Sequence, residues 1–248
     1  MAGGDYEGQI AVVTGGAQGI GFAISRLLAE RGATVCLLDI DKARMDEAVA
    51  KLKATGAKAK GYTADVTKEP TLQRARDEIL KDWGQVHVLV NNAGIYPHAK
   101  IHEITEDSWN AMFDVNTKGM FYTTRTFMDC MKEKRYGRIV SIVTNDAYIA
   151  KPTLPHYAAA KAAVASLIKT FALELAPFEV ICTGVSPGAV ATERAKSQPW
   201  LKERLPLIPV RRAAEPEDIA EVVLFLGSKR NRFVVGETVL ANGGYTML

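Results

Sequence analysis

Residues 10–32 read IAVVTGGAQGIGFAISRLLAERG. A short β-branched run leads into a loop with glycines at 15, 19 and 21, and an amphipathic helical pattern follows. Strand, glycine-rich turn and helix in that order form the unit in which a backbone turns sharply and presents unpaired N–H groups at the positive end of a helix to a pyrophosphate. A glycine-rich loop alone has a plain structural explanation, since tight turns need glycine. The flanking strand and helix make dinucleotide binding the stronger reading.

Outward from this unit the pattern repeats. The runs TVCLLD at 34–39, KAKGYTAD at 58–65, VHVLVNNAG at 86–94, GRIVSIVT at 137–144, EVICTGVSPG at 179–188 and ETVLANGG at 237–244 read as further strands. Apolar runs bounded by Gly, Asn and Asp mark strands buried on both faces, as in parallel sheets. Helical patterns lie between them. Over 157–176, Ala160, Val164, Leu167, Ile168, Phe171 and Leu175 recur at three- and four-residue steps until Pro177 stops the helix. The expected fold is α/β: one Rossmann-type doubly wound domain over 1–248, with seven mostly parallel strands and helices on both faces. Only 193–213, ERAKSQPWLKERLPLIPVRRA, resists a single regular element; it reads as a substrate lid or as a plain surface excursion.

The 248 residues are 48% hydrophobic and 24% charged, an ordinary globular composition. Their 31 basic and 28 acidic residues are interspersed without a block of like charge, so neither a nucleic-acid partner nor a membrane partner is expected. Cys36, Cys130 and Cys182 are odd in number, far apart and in apolar settings, which predicts buried thiols in a reducing compartment rather than disulfides or a metal site. The start, MAGGDYEGQI, lacks a basic region followed by an apolar run, and no stretch is long and apolar enough to span a bilayer. A cytoplasmic protein is expected.

Asp39 ends the second strand eighteen residues beyond Gly21. A carboxylate there accepts hydrogen bonds from ribose hydroxyls and repels a 2′-phosphate, which favours NAD over NADP; the competing role is a cap on the next helix, with Asp41 nearby. Gln18 supports NAD, since the loop carries no Arg or Lys at that position to meet a phosphate. Asp65 with Val66 closes the third strand, where an adenine would lie. Asn91 to Gly94, NNAG, closes the fourth and suits a backbone passing close to a ligand, or a simple turn.

Tyr157 and Lys161 stand at i and i+4 of one helix and share a face. The spacing is common by chance, but its chemistry is useful. An ammonium about 4 Å from a phenol of ordinary pKa near 10 is worth roughly 4 kcal/mol at an effective dielectric of about 20, enough to bring the phenol to near 7. Thr144 ends the preceding strand and offers a hydroxyl to hold a substrate oxygen. Ser141, the rival, lies inside the strand and faces the other way.

These residues carry a resemblance. TGGAQGIG, Asp39, Asp65, NNAG, Asn116 in FDVNTKG, Tyr157 with Lys161, and PGAVAT at 187–192 together resemble the short-chain dehydrogenase/reductase family over essentially the full chain. The resemblance implies a catalytic set of Asn116, Thr144, Tyr157 and Lys161. In it, Tyr157 exchanges a proton with the substrate oxygen, Lys161 holds the nicotinamide ribose and lowers the tyrosine pKa, and Asn116 holds a water joining Lys161 to solvent. Cofactor contacts are implied at Gly15, Gln18, Gly19, Ile20, Gly21, Asp39, Asp65, Val66, Asn92, Ala93, Gly94, Tyr157, Lys161, Pro187, Gly188, Val190 and Thr192. Thr144 departs from the family's usual serine, adding a methyl and a stiffer χ1.

Tyr96, Pro97, His98, Asn145, Asp146, Tyr148, His156 and Trp200 are expected to frame the substrate, with both histidines expected at the surface. Their mixture of aromatic and polar groups suits a compact polar or aromatic alcohol: a secondary alcohol, sugar or polyol. Neither His98 nor His156 is expected to be a metal ligand, and no metal is expected. The alternatives are a 3-oxoacyl carrier-protein reductase and a catalytically impaired NAD-binding scaffold or sensor. The resemblance further implies a homotetramer or dimer, and the apolar ending GGYTML is compatible with burial at such an interface.

Overall fold

In the computed structural model, which describes residues 4–248, seven strands form one sheet in the order β3-β2-β1-β4-β5-β6-β7. They are β1 Ile10–Thr14, β2 Thr34–Asp39, β3 Ala59–Thr63, β4 Val88–Asn91, β5 Gly137–Ile142, β6 Val180–Pro187 and β7 Thr238–Ala241. Every neighbouring pair is parallel. The strand order reverses between β1 and β4, and the carboxyl ends at that point open the crevice in which such sheets hold ligands. The reading of MAGGDYEGQI falls partly on residues 1–3, which lie outside the described residues.

Alternation along β1 shows why its run is apolar throughout. Ala11 and Val13 join the core on one face, Ile10 and Val12 the core on the other, because successive side chains point to opposite sides of a strand. On the first face lie α1 Gly19–Glu30, α2 Lys42–Ala54 and α9 Pro216–Gly227, contributing Ile24, Leu28, Met45, Leu52, Ile219 and Val223. On the second lie α3 Glu69–Trp83, α5 Gly119–Glu133 and α6 Pro155–Leu175, contributing Leu72, Ile79, Phe127, Met131, Val164 and Ile168. The short α4 Glu106–Phe113 enters α5 through a π turn at Asp114–Lys118.

Several strands stop short of their apolar runs. β5 ends at Ile142 because the Thr144 hydroxyl accepts from the Asp146 amide at 3.3 Å and starts a 3₁₀ turn, Asn145–Ala147. β4 ends at Asn91, leaving Asn92 to Gly94 as loop. Both shortfalls put polar residues at the carboxyl edge. Residues 193–213 form α7 Glu193–Lys196, α8 Pro199–Arg204 and a 3₁₀ turn at Leu205–Leu207. Pro199 opens α8 and Pro206 lies in the following turn, so no long periodicity develops. Leu201 and Ile208 are buried against Ala189, Ala191 and Ala213. Among the described residues, no helix is long and apolar enough to cross a membrane, and no three His, Cys, Asp or Glu side chains gather as metal ligands.

Candidate active site

The glycine loop joins β1 to α1. Gly15 and Gly19 have φ of +59° and +52°, the left-handed region that disfavours any side chain. A Cβ on Gly21 would fall 2.1 Å from the Gly15 carbonyl oxygen, so α1 packs against its own loop only with glycine there. The side chain of Gln18 makes no capping hydrogen bond to α1, leaving the helix start free for an anion. Across the crevice, the Thr192 methyl lies 3.6 Å from where a Gly19 Cβ would stand. The Thr192 hydroxyl caps α7 by accepting from the Ala195 amide at 3.2 Å.

Two expected cofactor contacts are committed to the protein itself. Asn92 Nδ2 donates to the Thr14 and Gly15 carbonyls, each at 3.0 Å, while the Asn92 and Ala93 amides donate to the Thr14 hydroxyl at 3.0 and 3.1 Å. The Asn92 side chain is therefore a brace for the loop. One Asp65 oxygen accepts from the Thr67 amide and hydroxyl at 2.9 and 2.7 Å. Burial raises its pKa, but these bonds and Lys68 outweigh it and hold the carboxyl below its ordinary range. Val66 packs where Gly119 lacks a side chain; a Cβ there would be 2.8 Å from Val66 Cγ2. Asp39 does not cap α2. Asp41 does, accepting from the Arg44 amide at 3.0 Å, while Asp39 Oδ1 takes only the Asp41 amide at 3.1 Å.

Beyond β6, Pro187 pairs with Ala241, the Gly188 amide donates to the Ala241 carbonyl at 3.2 Å, and Val190 bridges to Ala214. This ties the 187–192 turn to β7 and fixes the wall that faces Gly19.

Asn116, Gly94 and Lys161 converge. Asn116 sits in the π turn, whose extra residue turns its side chain inward; Nδ2 donates to the Ile95 and Met112 carbonyls at 2.8 and 3.0 Å. Its Oδ1 is buried without a partner. A Cβ on Gly94 would lie 2.7 Å from that oxygen and 3.7 Å from Lys161 Nζ. Among the described residues, this oxygen is an unused acceptor on the side of Gly94 that also faces the Lys161 ammonium.

Tyr157 and Lys161 do not behave as the pair the sequence suggests. Lys161 Nζ donates to the Ile142 carbonyl at 2.7 Å, and burial lowers its pKa from 10.5 to about 8. Burial, followed by the charge of Asp146, pushes the Tyr157 phenol well above its ordinary value; only the Thr144 hydroxyl, as a hydrogen-bond partner, opposes this. The expected fall to near 7 is absent: desolvation raises the phenol, and the ammonium is bonded to the Ile142 carbonyl. Ser141 is excluded as the substrate-holding hydroxyl: it accepts from Asn91 Nδ2 at 3.2 Å inside the sheet.

Tyr96 lies 6.0 Å from Tyr157, ring centroid to centroid, with the Arg194 guanidinium 4.9 Å from the Tyr96 ring centre. Asp146, 7% exposed, follows the Thr144 turn. Its Oδ1 has no hydrogen bond and lies 3.8 Å from Nη2 of Arg204, whose guanidinium rests 5.3 Å from the Trp200 ring and 5.8 Å from the Tyr245 ring. Asn145 Oδ1 accepts from Asn242 Nδ2 at 2.9 Å. Tyr148 packs against the core on the α6 side. His98 is exposed, but His156 is a correction: it is fully buried in the first turn of α6, with both ring nitrogens unpartnered and its pKa lowered by burial. Arg194 and Arg204 were missed by sequence reasoning. They look like ordinary surface charges, and nothing local marks which aromatic rings they will meet.

The residues fit a nicotinamide dinucleotide. The glycine cradle, the uncapped start of α1, the Asp39 carboxylate and the orphaned Asn116 oxygen lie along one crevice edge and match its pyrophosphate, ribose and nicotinamide ends. A family model described as Enoyl-(Acyl carrier protein) reductase matches residues 15–246. The chain is 34% identical to 2,3-dihydro-2,3-dihydroxybenzoate dehydrogenase of Bacillus subtilis, over 97% of each chain. It is also 34% identical to a 3-oxoacyl-[acyl-carrier-protein] reductase of Thermotoga maritima, over 96% of this chain and 98% of that one. A crystal structure of a 3-oxoacyl-[acyl-carrier protein] reductase from Brucella melitensis with bound NAD superposes with a TM-score of 0.91 at 33% identity, covering 98% of this chain and 93% of that one.

Proposed function

The chain belongs to the short-chain dehydrogenase/reductase family of oxidoreductases, and we propose that within it this protein is an NAD-dependent dehydrogenase interconverting a small polar or aromatic alcohol and its carbonyl. The observation that carries this is the convergence of Asn116 and Lys161 at Gly94, with Lys161 one helical turn beyond Tyr157 and bonded to the Ile142 carbonyl two residues before Thr144. Bound nicotinamide supplies the acceptor or donor of hydride.

The protein's own residues do the rest. Gly15, Gly19, Gly21 and the start of α1 would hold the pyrophosphate, Ile20 and Val190 would line the same cofactor, and Asp39 would take the ribose hydroxyls and repel a 2′-phosphate. Thr144 holds the substrate oxygen; Tyr157 gives it a proton or takes one. With its pKa raised, the half-buried phenol is protonated at neutral pH, the form that donates to a carbonyl oxygen. Accepting a proton from an alcohol requires the Lys161 charge to act on the phenol rather than on Ile142.

The test is reduced-nicotinamide absorbance with NAD and with NADP against secondary alcohols, polyols, sugars, hydroxymethyl aromatics and ketones, with Tyr157→Phe as the blank. Turnover with NAD that disappears in the variant is the expected result; cofactor binding with no turnover by the unaltered protein would favour a scaffold. An acetoacetyl thioester belongs in the panel, since proteins similar to this one bear the name of carrier-protein reductases.

A homo-oligomer, dimer or tetramer, is part of the same proposal. Leu173, Phe233, Met247 and Leu248 are 82%, 95%, 79% and 81% exposed in the single chain, an apolar surface a second copy would cover. Cys36 and Cys182 are buried as expected while Cys130 is only half-buried; burial pushes the three thiols up to about 12, 12 and 11, the range of unreactive side chains, and a cytoplasmic location is part of the same proposal.

A further inference from the structure

Asp146 is an expensive residue to leave as it stands. Its carboxylate is buried and Oδ1 makes no hydrogen bond; Nη2 of Arg204, at 3.8 Å, neutralises charge without donating a hydrogen bond. The turn it belongs to is held by its main-chain amide, which donates to Thr144, and not by its carboxylate. The Arg204 guanidinium also lies 5.3 Å from the Trp200 ring centre and 5.8 Å from that of Tyr245.

Asp146 also stands beside the reacting groups. Thr144 is two residues away, and its hydroxyl accepts from the Asp146 amide at 3.3 Å. Resting on the reading of Thr144 and Tyr157 as the substrate-oxygen site, we infer that Asp146 accepts a hydrogen bond from a second hydroxyl on the carbon next to the reacting one, so that the site takes vicinal diols and α-hydroxy ketones in preference to simple alcohols and ketones. A simple alcohol leaves the buried oxygen unsatisfied. A carboxylate in the same place is repelled by Asp146.

The probes are cis-cyclopentane-1,2-diol and cyclopentanol, which differ by one hydroxyl, offered to the unaltered protein, Asp146→Ala and the isosteric Asp146→Asn, with folding checked by circular dichroism. Two readouts are taken: kcat/KM with NAD, and affinity for the NADH-loaded protein from the change in NADH fluorescence. The expected preference for the diol is about 10- to 100-fold in both readouts, the worth of one hydrogen bond to a charged group. It collapses to within about threefold in Asp146→Ala and falls partway in Asp146→Asn. Equal kcat/KM for the two probes in the unaltered protein overturns the inference and leaves the dehydrogenase reading standing. Losses that are equal for both probes, with the ratio intact, overturn it too, since they mark a purely structural residue. Asp146-dependent diol binding without turnover of either probe upholds the inference and removes the dehydrogenase reading. Failure of both probes to bind overturns it.

Discussion

Lys161 Nζ donates to the Ile142 carbonyl at 2.7 Å across the end of β5. The ammonium is buried, and its pKa falls from 10.5 to about 8. A lysine whose folded pKa lies below its unfolded value contributes stability above about 10.5 and loses it as pH falls through about 8; the gap corresponds to about 3 kcal/mol. At neutral pH the charged lysine is thus a burden on the fold.

Lys161→Met is expected to abolish turnover while raising the stability of the cofactor-free protein by about 1–2 kcal/mol at neutral pH, after about 1 kcal/mol is lost at the unpaired Ile142 carbonyl. Urea unfolding at neutral pH and near pH 10 checks it: the gain should shrink at the higher pH. A variant less stable at neutral pH would contradict the expectation.

Thr144 bears on both the Asp146 amide and the Tyr157 phenol through one hydroxyl. Thr144→Ala should lower kcat about 100-fold or more, the usual cost of removing one positioned donor. Thr144→Ser keeps that donor and should stay within about tenfold of the parent. Equal turnover by Ser and Ala variants would deny the hydroxyl a role.

Asp39 is free of the helix cap, which Asp41 provides. Asp39→Ala should therefore leave α2 intact in far-UV circular dichroism and shift the ratio of NAD to NADP affinity toward NADP by about tenfold, the scale of one screened charge contact. An unchanged ratio would assign cofactor choice elsewhere.

Gly21 and Gly94 are both crowded, with different neighbours. In Gly21→Ala the new methyl meets the rigid Gly15 carbonyl and the Asn92 brace, which should cost about 1–3 kcal/mol and abolish NADH binding. In Gly94→Ala it meets the Asn116 side chain, which can shift; activity should fall by at least about tenfold with a smaller loss of thermal stability. Calorimetry beside kinetics separates the two.

Phe233→Asp tests assembly. Light scattering should show the parent as a dimer or tetramer and the variant shifted toward the 27.0 kDa chain. A parent that is already monomeric would end the proposal.

The IAVVT run, the three glycines and the spacing of Tyr157 from Lys161 were legible because they are local. Burial on both strand faces demands unbroken apolar residues, left-handed loop positions demand glycine, and a helix places i and i+4 together. By itself the sequence determined the parallel sheet, the crevice end and which side chains stand as candidates for the chemistry there. What Lys161 does with its charge was not legible, since it depends on the Ile142 carbonyl nineteen residues away arriving within 2.7 Å. The inversion of the Tyr157 pKa followed from burial, which only packing creates. His156 reads as a surface residue yet is fully enclosed, and Arg204 reads as a surface charge yet faces a buried Asp146. Those relationships were decided by the tertiary structure: electrostatics in a desolvated site depends on distance and exposure between segments far apart in the chain, quantities that no local pattern encodes.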